Sequence, residues 1–112
     1  MSNKEVISIY TLNKVAEIAA KYVGEDNIPT KRTLSRWINR QVLSDYVEKE
    51  YLGQGGLNVS YPDSIVAEVI AVIELKQSLT LDEIARARAG EGVATEIYND
   101  KLEEIKKQLG GN

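Results

Sequence analysis

The sequence predicts a mainly α-helical fold with one small β-hairpin, and three observations support this prediction. Apolar residues recur at helical spacing over most of the 112 residues. Threonine and glycine residues stand where helices would begin and end, as N-caps and left-handed C-caps. A glycine-rich cluster at residues 53–56 separates two short stretches that would pair as strands. A chain of this length is expected to fold around one core.

The first two helices are predicted from their caps and from the spacing of their apolar residues. Thr11 is the expected N-cap of a first helix that ends at Gly24. A weakly alternating stretch before it, residues 6–10, predicts a short strand or an ordered arm. After a short loop, a second helix is expected from about Lys31 to Leu43. Its buried stripe is expected to consist of Leu34, Trp37, Ile38 and Leu43.

Three more helices are predicted after the hairpin. Pro62–Asp63 is expected to open the third helix, because proline lacks only an N–H that a first turn leaves unpaired. The β-branched residues that follow favour a strand by propensity, but their period is helical. Thr80 and Glu83 predict a capping box at the start of a short fourth helix. The fifth helix is expected from about Val93 to Leu109.

The composition argues against most catalytic chemistry. The chain has no Cys and no His, which excludes disulfides, thiol redox reactions, Cys/His zinc sites and imidazole catalysis. The carboxylate pair Asp82–Glu83 is explained by the capping box, and the glycine cluster lacks the Lys-Ser/Thr of a phosphate-binding loop. We therefore expect no enzymatic activity, no metal and no cofactor.

Positive charge is concentrated in the second helix. The net charge is −3, yet residues 27–44 hold four basic and no acidic residues, leaving 10 basic against 17 acidic elsewhere. Three arginines spaced four apart share one helix face, opposite the apolar stripe. Basic side chains that merely face solvent would show the same spacing. Like charges at this spacing repel one another, however, and a polyanionic partner would explain why the helix tolerates them. The residues are Lys31, Arg32, Arg36 and Arg40, with Ser35 and Asn39 beside them.

Four short segments carry a family resemblance: Tyr10–Ala16, Thr33–Ile38, Tyr61–Asp63 and Leu79–Ile84. In this order, and over about residues 10–89, the chain resembles the MerR-like winged-helix group of bacterial DNA-binding proteins. The resemblance implies a winged helix-turn-helix whose second helix enters the major groove and whose hairpin is a wing that touches phosphates. It also implies that the C-terminal helix pairs with a second subunit in an antiparallel coiled coil.

The resemblance also implies which side chains would contact DNA. Recognition-helix positions are matched by Lys31, Arg32, Thr33, Ser35, Arg36 and Arg40, and wing positions by Asn58, Ser60 and Tyr61. Two departures from the family pattern concern the wing and the C-terminus. The wing lacks the arginine that usually precedes its closing tyrosine, and the effector domain of larger members is missing.

The C-terminal helix carries a possible coiled-coil seam. Tyr98, Leu102, Ile105 and Leu109 step by four, three and four residues, as a and d positions do. This predicts a homodimer through the helix; the alternative is that the helix folds back onto its own core. The organisation expected is thus a DNA-binding winged helix-turn-helix in residues 1–90 and a dimerisation helix in residues 91–112.

Together these features predict a protein that binds double-stranded DNA at specific sequences, with helix 31–43 in the major groove. Such a protein would be a dimeric transcription regulator of bacterial, phage or plasmid DNA. Polar residues after Met1 and the lack of an apolar run of about 18 residues predict no membrane segment and a cytoplasmic, nucleoid-associated protein. The alternative is a protein-interaction or DNA-segregation adaptor on the same fold, since the acidic remainder of the chain weakens non-specific DNA affinity.

Overall fold

In the computed structural model, residues 9–53 and 56–110 are described, and they form a mainly helical fold with a small antiparallel sheet. This confirms the prediction of a helical protein with a β-hairpin. The elements in chain order are β1 (Ile9–Tyr10), α1 (Leu12–Val23), α2 (Lys31–Asn39), β2 (Glu48–Gly53), β3 (Gly56–Pro62), α3 (Ile65–Leu75), α4 (Leu81–Arg88) and α5 (Thr95–Leu109), with one 3-10 turn at Glu25–Asn27.

The predicted N-caps of α1 and α4 are present, and Gly24 ends α1 with a ψ of 145°, outside the left-handed helical conformation predicted for it. The Thr11 hydroxyl accepts a hydrogen bond from the backbone N–H of Lys14 at 3.3 Å. At α4 the Thr80 hydroxyl accepts from the Glu83 N–H at 3.1 Å, while the Glu83 carboxylate accepts from the Thr80 N–H at 2.8 Å. This reciprocal capping box is the arrangement expected from the sequence. Gly24 follows α1 with φ of 90°, where a side chain would be strained.

Two helix boundaries differ from the prediction at positions where the backbone turns. Helix α2 ends at Asn39 rather than near Leu43, because Gln41 adopts a φ of 67° and reverses the chain. Leu43 is buried as expected, but it reaches the core from this turn. Helix α5 begins at Thr95 rather than Val93, after Gly92 takes a φ of 97°. The shift at α5, from Val93 to Thr95, is of the size that helix ends commonly show, whereas α2 is a full turn shorter than predicted.

The hairpin is present, and the strand predicted before α1 joins it. The strand order is β1-β3-β2, with both pairs antiparallel. Pro62 is the last residue of β3, where it pairs with Ile9, so it does not open α3 as predicted. Residues 6–8 of the expected arm, and residues 54–55 of the turn, lie outside the described ranges.

Helix α3 is the centre of the core. Every residue from Ile65 to Val72 is buried, including Glu68, and the helix contacts α1, α4 and α5. Glu68 and Glu74 both interrupt this apolar helix, but only Glu74 is exposed. A helix that is apolar on all sides is buried on all sides. The β-branched residues of α3 supply this apolar surface.

Helix α5 folds back onto the core, as the alternative interpretation had it. Tyr98 and Ile105 are each 2% exposed, and Leu102 and Leu109 are partly buried against the core. The helix packs on α3 and α4 of its own chain. The four residues of the predicted dimerisation seam thus face the core of their own chain, and the homodimer itself stays a prediction. An a/d rhythm over only two heptads is also that of an amphipathic helix covering its own core.

Among the residues that the structure describes, no helix combines the length and apolarity needed to cross a membrane.

Candidate nucleic-acid interface

Helix α2 separates a buried face from an exposed one. Leu34 is fully buried and Trp37 is 3% exposed, so both side chains anchor the helix in the core. The opposite face consists of exposed polar and basic residues, ending with the C-cap residue. These are Lys31, Arg32, Ser35, Arg36, Asn39 and Arg40. The face that the sequence predicted is therefore brought together on one side of the helix.

Thr33 belongs to the cap of α2 rather than to this basic face. The Thr30 hydroxyl accepts a hydrogen bond from the Thr33 N–H at 3.2 Å and donates one to the Thr33 hydroxyl at 3.2 Å. Thr33 is half-buried on the flank of the helix. Its hydroxyl is thus engaged in starting α2.

A polar network fixes the turn that follows α2. The carboxylate of Glu68, only 8% exposed, accepts hydrogen bonds of 2.7 Å from both the N–H and the hydroxyl of Ser44. The Arg88 guanidinium donates to the Ser44 hydroxyl at 3.0 Å and to the Gln41 carbonyl at 3.2 Å, and lies 3.9 Å from the Glu68 carboxylate. The turn is thereby joined to α3 and α4. The spacing of residues does not predict this network, and the one sign of it in the sequence is a glutamate, Glu68, within an apolar helix.

The cations of α2 differ in their ionic partners. Arg40 lies 3.3 Å from the carboxylate of Asp82, at the start of α4, and both side chains are largely exposed. In the described part of the chain, no carboxylate lies within 4.0 Å of Lys31, Arg32 or Arg36. Three cations on this face are therefore available to an anionic partner, and the fourth is shared with an acidic neighbour.

Of the three predicted wing residues, Tyr61 lies beside α2. Tyr61 is 9% exposed, and its side chain borders a groove of about 370 Å³ together with Lys31, Ser35 and the first residues of α1. Ser60 is half-buried. The backbone of Asn58 pairs with Glu50 in the hairpin, but its side chain lies outside what the structure describes.

The Tyr61 hydroxyl stays protonated at ordinary pH. Burial is the main cause that raises its pKa, the Asp45 carboxylate raises it further, and the Lys49 ammonium opposes the rise. A protonated phenol beside Lys31 and Ser35 is a hydrogen-bond donor. The groove therefore brings an ammonium group and two hydroxyl groups together at one end of α2.

The outer strand of the hairpin, β2, and the two residues before it are aromatic and acidic. Tyr51 is 76% exposed, Val47 53% and Tyr46 43%. The ammonium group of Lys49 lies 4.6 Å from the centre of the Tyr46 ring. Glu48 and Glu50 are also exposed. This strand has apolar side chains to offer a partner but little positive charge.

Comparison of the chain with protein-family models, with curated protein sequences and with solved structures finds no match. The interpretation of the basic face consequently depends on its own geometry and charge. A helix that is fixed by its buried apolar face and presents three cations without a described ionic partner is suited to an extended polyanion.

Proposed function

We propose that the protein is a double-stranded DNA-binding protein with a winged helix-turn-helix fold. In this proposal α1 and α2 are the helix-turn-helix, α2 enters the major groove and the β2–β3 hairpin is the wing. The observation that carries the proposal is the outward face of α2. There, Lys31, Arg32 and Arg36 are exposed and no described carboxylate pairs with them, while the opposite face is locked into the core.

The dimensions and chemistry of α2 suit this role. Nine residues give a helix of about 14 Å, and the major groove of B-DNA, roughly 12 Å wide, admits one helix. Arginine reads guanine through two hydrogen bonds, while lysine, serine and asparagine contact phosphates or base edges. On its specific site the arginines at the centre of the face would read bases, whereas on a mixed-sequence duplex they would contact phosphates.

The groove beside Tyr61 would hold a backbone phosphate. Lys31 would supply charge, and the hydroxyls of Ser35 and Tyr61 would supply hydrogen-bond donors. Such contacts position a protein on the duplex without reading its sequence. We extend the proposal to a transcription regulator of bacterial, phage or plasmid DNA, acting in the cytoplasm on the nucleoid. A dimer would need a surface other than the apolar side of α5, which is already buried.

The test is fluorescence anisotropy on a mixed-sequence duplex at about 50 and 200 mM salt. Three phosphate contacts would weaken binding about 40-fold across this range. Replacing Arg32→Gln and Arg36→Gln together should lower affinity at least tenfold and flatten the salt dependence. The matched control is Lys106→Gln with Lys107→Gln, which removes the same charge from exposed positions on α5. Equal weakening in both double variants would contradict a role for α2.

A protein-interaction or DNA-segregation adaptor is the second candidate, and the hairpin is the observation that favours it. Tyr51 and Val47 expose apolar surface beside Glu48 and Glu50, a combination typical of protein contacts rather than phosphate contacts. Failure of the wild-type protein to bind any duplex at about 50 mM salt would shift the assignment to this candidate.

A further inference from the structure

A second groove lies on the other flank of α2 and is not used by the proposed DNA interface. It has a volume of about 560 Å³ and runs between the loop before α2 and the end of α3. Thr33 and Trp37 border it, whereas Lys31 and Ser35 border the groove beside the hairpin. Its size is within the range of small-molecule sites, roughly 300–1,000 Å³.

The walls of this groove are mainly apolar. Ile28 and Pro29 form one side and Ile73 the other, and Trp37 borders the groove while exposing 3% of its surface. Trp37 therefore offers only a small part of its ring to a ligand. Aromatic rings pack against such a partner in offset or edge-to-face geometry. The groove is thus suited to a flat apolar body.

Lys76 supplies the one charge among the described residues that line this groove. Its ammonium group lies 5.3 Å from the centre of the Trp37 ring, which holds it beside the apolar walls. No described carboxylate lies within 4.0 Å of this ammonium; Glu74, two residues earlier, pairs with Lys101 at 3.0 Å. The other polar groups of the lining are neutral hydroxyls and amides, including Gln77.

We propose that this groove is a binding site for a small aromatic carboxylate. The ring lies against Ile28, Pro29 and Ile73, and the carboxylate pairs with the ammonium group of Lys76. One cation at the edge of an apolar trough selects a ligand with one negative charge and a flat apolar body. The inference uses a different flank of α2 from the DNA interface and does not depend on the proposed function.

Trp37 allows a direct test, because it is the chain's single tryptophan. Its indole N–H gives one resonance in a ¹H–¹⁵N spectrum of the whole protein. The probes are 2-naphthoate and its uncharged analogue 2-naphthamide. We expect 2-naphthoate to shift the indole resonance to saturation, with about three- to fivefold weaker binding of the amide, the amount an exposed ion pair contributes.

Two variants locate the site without disturbing the core. Lys76→Gln removes the cation and Gln77→Glu adds a competing carboxylate, so each should weaken 2-naphthoate binding about three- to fivefold. Lys107→Gln, an exposed lysine on α5, is the charge-matched control and should bind as the wild type does. The proposal is overturned if the resonance does not saturate by about 5 mM. It is also overturned if the acid and the amide bind equally, or if Lys76→Gln leaves the affinity unchanged.

Discussion

Among the cations on the exposed face of α2 and its C-cap, Arg40 is the one that pairs with a described carboxylate. Its guanidinium lies 3.3 Å from the Asp82 carboxylate, and both side chains are exposed to solvent. Exposed ion pairs contribute little to stability, so this contact is weak enough for a DNA phosphate to replace. Asp82 thus competes with a phosphate for Arg40 in the proposed complex.

Replacing Asp82→Asn should therefore strengthen duplex binding about two- to fivefold at low salt. The gain arises because Arg40 loses its internal partner, and fluorescence anisotropy measures it. The matched control is Asp100→Asn, an exposed carboxylate on α5 that makes no described ion pair. The same gain in Asp100→Asn, or in a protein that also carries Arg40→Gln, would contradict the competition.

Tyr98 carries an uncompensated polar group in the core. Its hydroxyl is fully buried, and no described residue meets hydrogen-bond geometry with it, although the Arg88 guanidinium is close enough to act on it. Burial is the first cause that raises the Tyr98 pKa to about 12; the Glu68 carboxylate raises it further, and the Arg88 guanidinium partly offsets the rise. The folded state therefore favours the protonated phenol more than the unfolded chain does, whose tyrosine pKa is about 10.

This difference predicts how stability depends on pH. The contribution of Tyr98 is fully present below pH 10 and is lost as pH rises from 10 towards 12, up to about 3 kcal/mol. Tyr98→Phe should show a smaller loss over this range. At pH 7 it should be about 1 kcal/mol more stable, because no unpaired hydroxyl is buried. Urea denaturation at pH 7 and between pH 10 and 12 tests both expectations. A variant that is less stable than the wild type at pH 7 would indicate that the Tyr98 hydroxyl has a hydrogen-bond partner.

At the scale of elements, α2 is held by more than its apolar face. Leu34 and Trp37 anchor its inner side, and the network of Ser44, Glu68 and Arg88 fixes the turn after it. The spacing of apolar residues predicted that Leu34 and Trp37 are buried. It could not predict the polar network, because Ser44 and Glu68 are 24 residues apart and meet only when α3 is packed.

Glu68→Ala should lower the free energy of unfolding by about 3 kcal/mol. The change leaves the N–H of Ser44 and the guanidinium of Arg88 without their buried acceptor. Urea denaturation measures the loss. Glu91→Ala removes an exposed carboxylate and should change stability by less than about 0.5 kcal/mol. Equal stability of the two variants would mean that the network contributes nothing.

Helix α5 offers a matched pair of isoleucines. Ile105 is 2% exposed against α3 and α4, whereas Ile97 is 53% exposed on the same helix. Ile105→Ala should cost about 2–5 kcal/mol because it opens a cavity in the core. Ile97→Ala should cost less than about 0.5 kcal/mol. Urea denaturation compares them, and a dimer that Ile105→Ala dissociates without loss of stability would restore the coiled-coil interpretation.

At the scale of the whole molecule, the positive charge is local. Residues 27–44 are basic while the remainder of the chain is acidic. The acidic remainder repels DNA, so a duplex would be oriented towards α2 rather than bound on many sides. Among the described residues, the one ion pair between the two regions is that of Arg40 and Asp82.

The sequence by itself determined the local features of this protein. Thr11, Thr80 and Glu83 form the expected caps, the glycine cluster separates two strands, and the arginines of α2 share a face. These features depend on residues within about four positions of one another, or on one turn, so periodicity and capping chemistry predict them.

Only the tertiary structure decided which surfaces meet. It placed the apolar side of α5 on the core instead of on a second subunit and joined Ser44 to Glu68. It also paired Arg40 with Asp82 and brought Lys76 to Trp37. An amphipathic pattern predicts that the apolar face of a helix will be buried, but it does not predict which surface will bury it. That choice depends on chain topology and on contacts between residues far apart in sequence.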